Sequence, residues 1–232
     1  MRCLVRIFLI LNFPISLYAQ FTGHYNALNI AGTTNTWKNE IPLAQPEIVG
    51  STYLDENWQE AEIVLKRGDT ISDFQVKVEI EQANVEIQYE GEIKFINLKG
   101  IECIRLIDGV SGNKVSLKEA KLFSYNSVPL PGIVLVQGTD DTYNIIRNYY
   151  IEFIKSNYNI AMDVGFKDHR KVKKERVFIS QASTLILVKG SSKKIAAQFG
   201  LDREKAMTII KKHKFKLADE KDLQAFVALM QS

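Results

Sequence analysis

The chain has 232 residues, 46% of them hydrophobic and 25% charged, and a formal net charge of +3 at pH 7. This composition is typical of a globular protein with a buried core, and the length suits one large domain or two small ones. Two cysteines are too few for a small domain held together by several disulfides.

Residues 1–19 have the order of parts that defines an export signal. Two arginines lie in the first six residues, Ile7–Leu17 is a mostly apolar run, and Ala19 is the small residue before a cleavage point. The apolar run is shorter than the roughly 20 residues that a membrane span requires, which disfavours a membrane anchor. We therefore predict that cleavage near Ala19/Gln20 releases a periplasmic or extracellular protein with no transmembrane segment.

Charge is divided unequally along the predicted mature chain. Residues 20–139 contain 10 Lys and Arg against 16 Asp and Glu, a balance of −6, whereas residues 140–232 contain 18 against 11, a balance of +7. This asymmetry has three interpretations: the C-terminal part binds an anionic partner, the two parts attract each other, or lysine-rich helices simply face water.

Residues 20–60 are predicted to form an irregular lead-in, because no hydrophobic period holds and two prolines interrupt regular structure. Residues 61–190 contain short runs of alternating apolar and polar residues separated by Gly and Asn, which predicts an antiparallel β body. Cys103 lies in one such run and is expected to be a buried, unreactive thiol. The predicted strands are 61–67, 71–80, 84–90, 92–97, 101–108, 122–125, 133–137, 142–155, 175–179 and 184–188.

After Gly190 the apolar residues recur with a helical period, so residues 191–232 are predicted to be a helical C-terminal segment. Asp202 and Asp219 are candidate N-caps, and His213 is expected to be a partly buried residue at a helix end. The predicted fold class is α+β and mostly β: an antiparallel meander or sandwich-like sheet followed by two or three short helices. A division into two domains near residue 130 is an alternative.

No pattern in the chain predicts catalytic or metal-binding residues. The three histidines are far apart in sequence, the Asp140–Asp141 pair is typical of a solvated turn, and the Arg67–Asp69 tripeptide fits a tight turn better than a receptor-binding motif. The chain contains no glycine-rich phosphate loop, so no nucleotide or other cofactor is expected.

The strongest polar cluster is the run from Lys167 to Arg176, in which six of ten residues are Lys or Arg. Its candidate binding residues are Lys171, Lys173, Lys174 and Arg176. The run is expected to form a hairpin end or sheet edge, where the lysines either contact an anionic partner or prevent unwanted strand pairing.

Seven segments of the chain share a pattern with known exported proteins. They are Tyr53–Trp58, Val64–Asp69, Ser156–Ile160, Val164–Asp168, Leu187–Lys189, Ile210–Leu217 and Glu220–Leu223. In these segments the chain resembles an uncharacterised family of exported proteins from the Bacteroidota, although its ending departs from the paired tyrosines and asparagine typical of that family. The resemblance covers most of the mature chain and implies export in a Gram-negative envelope, with no assigned activity.

The sequence favours an exported, non-catalytic protein of the envelope or medium that binds a macromolecular or anionic partner, such as an envelope component or a protein. The alternative is a hydrolase that acts on envelope polymers with carboxylates brought together by the fold. Two carboxyl groups about 5 to 9.5 Å apart in a cleft would favour glycoside cleavage.

Overall fold

The computed structural model describes residues 47–107, 114–138, 142–159 and 161–232. The predicted signal peptide, most of the lead-in and the Asp140–Asp141 pair lie outside the described residues. Within the described ranges the chain is mostly β, with helices following the last strand, which confirms the predicted fold class.

The described residues form thirteen strands and three α-helices. In chain order the strands are β1 (Ile48–Val49), β2 (Gln59–Val64), β3 (Thr70–Glu79), β4 (Asn84–Tyr89), β5 (Glu92–Asn97), β6 (Cys103–Ile107), β7 (Lys114–Glu119), β8 (Ser124–Tyr125), β9 (Val128–Pro129), β10 (Ile133–Gln137), β11 (Tyr143–Ile154), β12 (His169–Gln181) and β13 (Thr184–Leu187). The helices are α1 (Ser192–Ala196), α2 (Arg203–His213) and α3 (Glu220–Gln231).

Eleven strands form one sheet in the order β1-β12-β11-β10-β7-β6-β2-β3-β4-β5, with β13 paired to the other end of β12. All pairs are antiparallel except β1 with β12, which is parallel. Strands β8 and β9 form a separate two-stranded sheet. Strands β7 and β10 pair directly although they lie on either side of residue 130.

A closing segment, residues 47–54, joins strands that are far apart in the sheet order. The carbonyl of Glu47 accepts a hydrogen bond from His169 N on β12 (2.8 Å), and Leu54 N donates to Val78 O on β3 (2.9 Å). Since one short segment contacts both strands, the sheet must curl. We call the face that carries alternate residues such as Tyr149 the inner face, and the opposite face the outer face.

Apolar clusters cover parts of both faces of the sheet. On the inner face, one cluster includes Ile104, Leu117 and Ile133, while the helices pack against residues of β11, β12 and β13 in a second cluster. On the outer face, the segment between β7 and β10 covers Phe178 and its neighbours, with Tyr125 lying 5.2 Å from the Phe178 ring. Apolar and polar residues alternate in the sequence because successive side chains of a strand point to opposite faces, and over parts of the sheet only one face is covered.

Four details of the sequence prediction are confirmed. Cys103 is buried. Residues Arg67–Asp69 lie in the turn between β2 and β3, closed by a hydrogen bond from Gly68 N to Leu65 O (2.8 Å). Strands β10 and β11 pair as an antiparallel hairpin. Asp219 caps α3, since its carboxylate accepts hydrogen bonds from the first turn of that helix.

Other details were wrong for physical reasons. Strand β7 was missed, and the strand predicted at 122–125 is a 3-10 turn followed by the two-residue β8. Asp202 precedes α2 but makes no capping bond, because its carboxylate accepts hydrogen bonds from Tyr143 and Gln181 on the sheet (both 2.5 Å). His213 ends α2 as expected but is exposed, stacked on Phe215 with ring centres 5.2 Å apart.

Candidate functional site

The basic residues predicted to bind an anionic partner all lie on β12, but the run that contains them is not a hairpin end. It forms the first half of a 13-residue strand, which pairs with β11 from Ile154↔Arg170 to Tyr143↔Gln181. Strand β10 pairs only with the first part of β11, up to Tyr149. Beyond that point β11 and β12 continue as what we call the β11–β12 ribbon, which β1 joins only at His169 and Arg170. Arg170 and Arg176 are exposed there and Lys174 is half-buried.

The alternation of a strand separates the predicted residues into two pairs. Lys171 and Lys173 lie on the inner face. The Lys171 ammonium forms an ion pair with Glu81 in the turn after β3 (2.6 Å), and the Lys173 ammonium donates a hydrogen bond to Leu54 O in the closing segment (2.7 Å). These two lysines therefore link β12 to the turn after β3 and to the closing segment.

Lys174 and Arg176 lie on the outer face, together with Arg170 at the start of the same strand. Successive side chains on one face of a strand are about 7 Å apart, so Arg170 and Arg176 stand about 20 Å apart with Lys174 between them. Arg170 was not among the binding residues predicted from the sequence. Alternate residues of a strand share a face, so counting back by twos from Arg176 identifies Arg170 once the strand is known to begin at His169.

The neighbours of the outer-face cations leave most of their positive charge available to bind an anion. The Arg176 guanidinium lies 4.5 Å from the centre of the Tyr150 ring, and the Arg170 guanidinium lies 4.4 Å from the Phe166 ring. Among the described residues neither guanidinium forms an ion pair. Lys174 pairs with Glu152 at 3.2 Å, but both side chains are about half exposed, and such surface pairs contribute little.

A cavity of about 320 Å³ is the other candidate site, and it lies on the inner face where α3 begins. Leu106, Val115 and Leu135 supply its apolar part, while Arg147 and Glu220 are among its polar residues. Its volume is at the lower end of the range for small-molecule sites.

Two charged residues that line the cavity, Arg147 and Glu220, form an ion pair, while the third, Asp55, accepts hydrogen bonds from Asn57 and Gln59. The Arg147 guanidinium contacts Glu175 on β12 (2.9 Å) and Glu220 at the first position of α3 (2.7 Å), and the Tyr149 hydroxyl donates a hydrogen bond to Glu175 (3.1 Å). Burial alone would lower the pKa of Arg147, but the hydrogen bond with Glu175 and the charges of both carboxylates outweigh it and raise that pKa. Burial, followed by the charge of Glu175, raises the pKa of Tyr149 to about 12.

This arrangement suits a structural link better than an acid–base pair. Glu175 and Glu220 both contact the same guanidinium, which ties β12 and α3 to β11. With a pKa of about 12, Tyr149 keeps its proton near neutral pH. The network therefore joins β11, β12 and the start of α3 across the edge of the cavity.

Within the part of the chain that the structure describes, no helix is long and apolar enough to cross a membrane. No family model, no curated protein and no solved structure matches this chain.

Proposed function

We propose that the protein is exported and binds an anionic component of the cell envelope through the outer face of β12. The binding residues are Arg170, Lys174 and Arg176. The observation that carries this proposal is the row of three cations on one face of β12, two of them backed by aromatic rings rather than by carboxylates. Such a row attracts a polyanion over a length of about 20 Å.

Export is the part of the proposal that depends on residues 1–19 alone. An export signal and an anion-binding surface are consistent with each other, because bacterial envelopes contain acidic polysaccharides and anionic lipids. Cell fractionation followed by N-terminal sequencing tests this part. We expect a mature protein that begins at Gln20 outside the cytoplasm; the intact chain with Met1 in the cytoplasm would contradict it.

Binding is tested with two matched sets of substitutions on the same strand. The outer variant carries Arg170→Gln, Lys174→Gln and Arg176→Gln, and the inner variant carries Lys171→Gln and Lys173→Gln. Retention on an immobilised polyuronate and on vesicles that contain an anionic phospholipid is measured at low and high salt. The wild type should bind at low salt and be released at high salt.

The two variants should behave differently. At about 1 kcal/mol for each basic residue near an anionic surface, the outer variant should bind roughly 100-fold more weakly. The inner variant should keep most of its binding but unfold at a lower urea concentration, because Lys173 contacts the closing segment and Lys171 contacts the turn after β3. Binding that does not change with salt concentration, or that is lost in the inner variant, would overturn the proposed function.

The hydrolase alternative depends on the two carboxylates that line the cavity, Asp55 and Glu220. If the protein cleaves an envelope polymer there, Asp55→Asn and Glu220→Gln should each abolish turnover while the outer variant leaves it intact. The contact of Glu220 with Arg147 and the hydrogen bonds that Asp55 accepts from Asn57 and Gln59 favour the opposite result, a protein without hydrolytic turnover.

A further inference from the structure

The far end of the β11–β12 ribbon exposes apolar side chains. In the loop between Ile154 and His169, Met162 is 69% exposed and Val164 is 52% exposed. Burial of apolar side chains is the main driving force of folding, so two exposed apolar neighbours in one loop suggest a surface that becomes covered on binding.

Hydrogen bonds within the loop hold these side chains in position. Asn159 N donates to Val164 O (2.8 Å), and the Asn157 side chain accepts a hydrogen bond from Phe166 N (3.0 Å). Gly165 has a φ of 96°, and a Cβ atom at this position would lie 2.6 Å from Asn157 O, so the turn requires glycine. The exposed residues therefore belong to a defined turn, which we call the ribbon tip (residues 161–165).

Cations and aromatic rings lie between the ribbon tip and the rest of the ribbon. The Lys167 ammonium lies 4.8 Å from the centre of the Tyr158 ring, and Arg170 covers the Phe166 ring. The one acidic residue of the tip, Asp163, accepts a hydrogen bond from the Tyr158 hydroxyl (2.5 Å), which directs its carboxylate toward the ring. Apolar side chains followed by aromatic rings and basic groups are the order found where proteins enter a membrane interface.

We propose that the anionic component is a phospholipid bilayer and that the ribbon tip enters its surface. Met162 and Val164 reach the boundary between headgroups and acyl chains, while Lys167 and Arg170 contact anionic headgroups. A soluble polysaccharide matches the cations but offers little apolar surface to cover Met162 and Val164; a bilayer provides both. With two apolar side chains and a few cations, attachment is weak and reversible.

This inference rests on the proposed function and adds an apolar contribution that the outer-face cations do not supply. It is tested by sedimentation with vesicles of phosphatidylethanolamine and phosphatidylglycerol, and with vesicles of phosphatidylcholine alone. The tip variant carries Met162→Gln and Val164→Gln. The matched control is Leu201→Gln, since Leu201 is a fully exposed apolar residue in the C-terminal helical segment.

The wild type should bind the anionic vesicles and not the neutral ones. The tip variant should bind roughly tenfold more weakly or worse, because both side chains lose their apolar burial, and the control should match the wild type. A Met162→Cys variant labelled with an environment-sensitive dye should show a blue shift on adding anionic vesicles; Cys103 is buried and should not react.

The outcomes separate the inference from the function on which it rests. The inference is overturned if the tip variant binds anionic vesicles as tightly as the wild type does, or if the emission of the dye does not shift when anionic vesicles are added. Salt-dependent binding to polyuronate without binding to vesicles also overturns it but leaves the proposed function standing. If neither surface binds the protein, both are wrong.

Discussion

Replacing Arg147 with methionine should lower the free energy of unfolding by about 2 to 3 kcal/mol. The Arg147 side chain is 19% exposed, and its hydrogen bond with the 39% exposed Glu175 belongs to the class that contributes about 1.5–3 kcal/mol. Its ion pair with Glu220 is worth about 0.5 kcal/mol, because Glu220 is 60% exposed and solvent screens the pair. Methionine keeps much of the apolar stem, so the loss reports mainly on the charged contacts.

A double-mutant cycle assigns this loss to its contacts. Glu220→Gln alone should cost about 0.5 kcal/mol in the wild-type background and close to nothing in the Arg147→Met background, since its main partner is then absent. Urea unfolding followed by circular dichroism measures each variant. Lys212→Met, a change at an exposed lysine of α2, is the control and should fall within about 0.5 kcal/mol of the wild type.

The reasoning would be refuted if Arg147→Met were as stable as the wild type. That result would mean that the free energy lost in desolvating the charged groups equals the free energy gained from their attraction, as happens for some buried ion pairs. Apolar packing and the hydrogen bond from Gln231 to Tyr143 O would then hold α3 on the sheet.

Three further predictions concern the core, the backbone and pH. Phe226→Ala should cost about 3–5 kcal/mol in urea unfolding, because the side chain is fully buried against Phe199. Gly132→Ala should be strongly destabilising, since φ is 76° and a Cβ would lie 2.1 Å from a backbone oxygen of β11, whereas Gly100→Ala should be nearly neutral because its Cβ would meet open space. Burial, with a hydrogen bond to Asp202, raises the pKa of Tyr143 to about 12 from the unfolded value near 10. The contribution of Tyr143 to stability is therefore fully present below about pH 10 and is lost as pH rises towards 12. Tyr143→Phe should make alkaline unfolding measurably less steep; an unchanged pH profile would contradict this account.

Local patterns predicted the parts of this fold that depend on local physics. The alternating apolar and polar residues of β3 and β4 and the capping carboxylate of Asp219 could be predicted, because each depends on a few neighbouring residues. The first half of β12 was not, because lysine-rich strands lack the usual apolar alternation. Its strand structure depends on pairing with β11, whose tyrosines and isoleucines supply the β-forming residues.

The candidate site was only half predictable. The sequence identified Lys174 and Arg176 but could not separate them from Lys171 and Lys173, since the face of each depends on where the strand begins. The contacts of Arg147 join residues 28 and 73 positions away in the chain. No local pattern indicates such long-range pairing. Asp202 illustrates the same limit, because a distant tyrosine takes the oxygen that would cap the helix.

The closing segment has a consequence for the order of folding. Glu47 N bonds to the Asp168 side chain, 121 residues further along the chain. The first strand of the sheet therefore finds its neighbour only after most of the polypeptide is available, and contacts of such high sequence separation form slowly. The pairs β2–β3, β3–β4 and β4–β5, by contrast, join neighbouring stretches of the chain and can form before this contact is made.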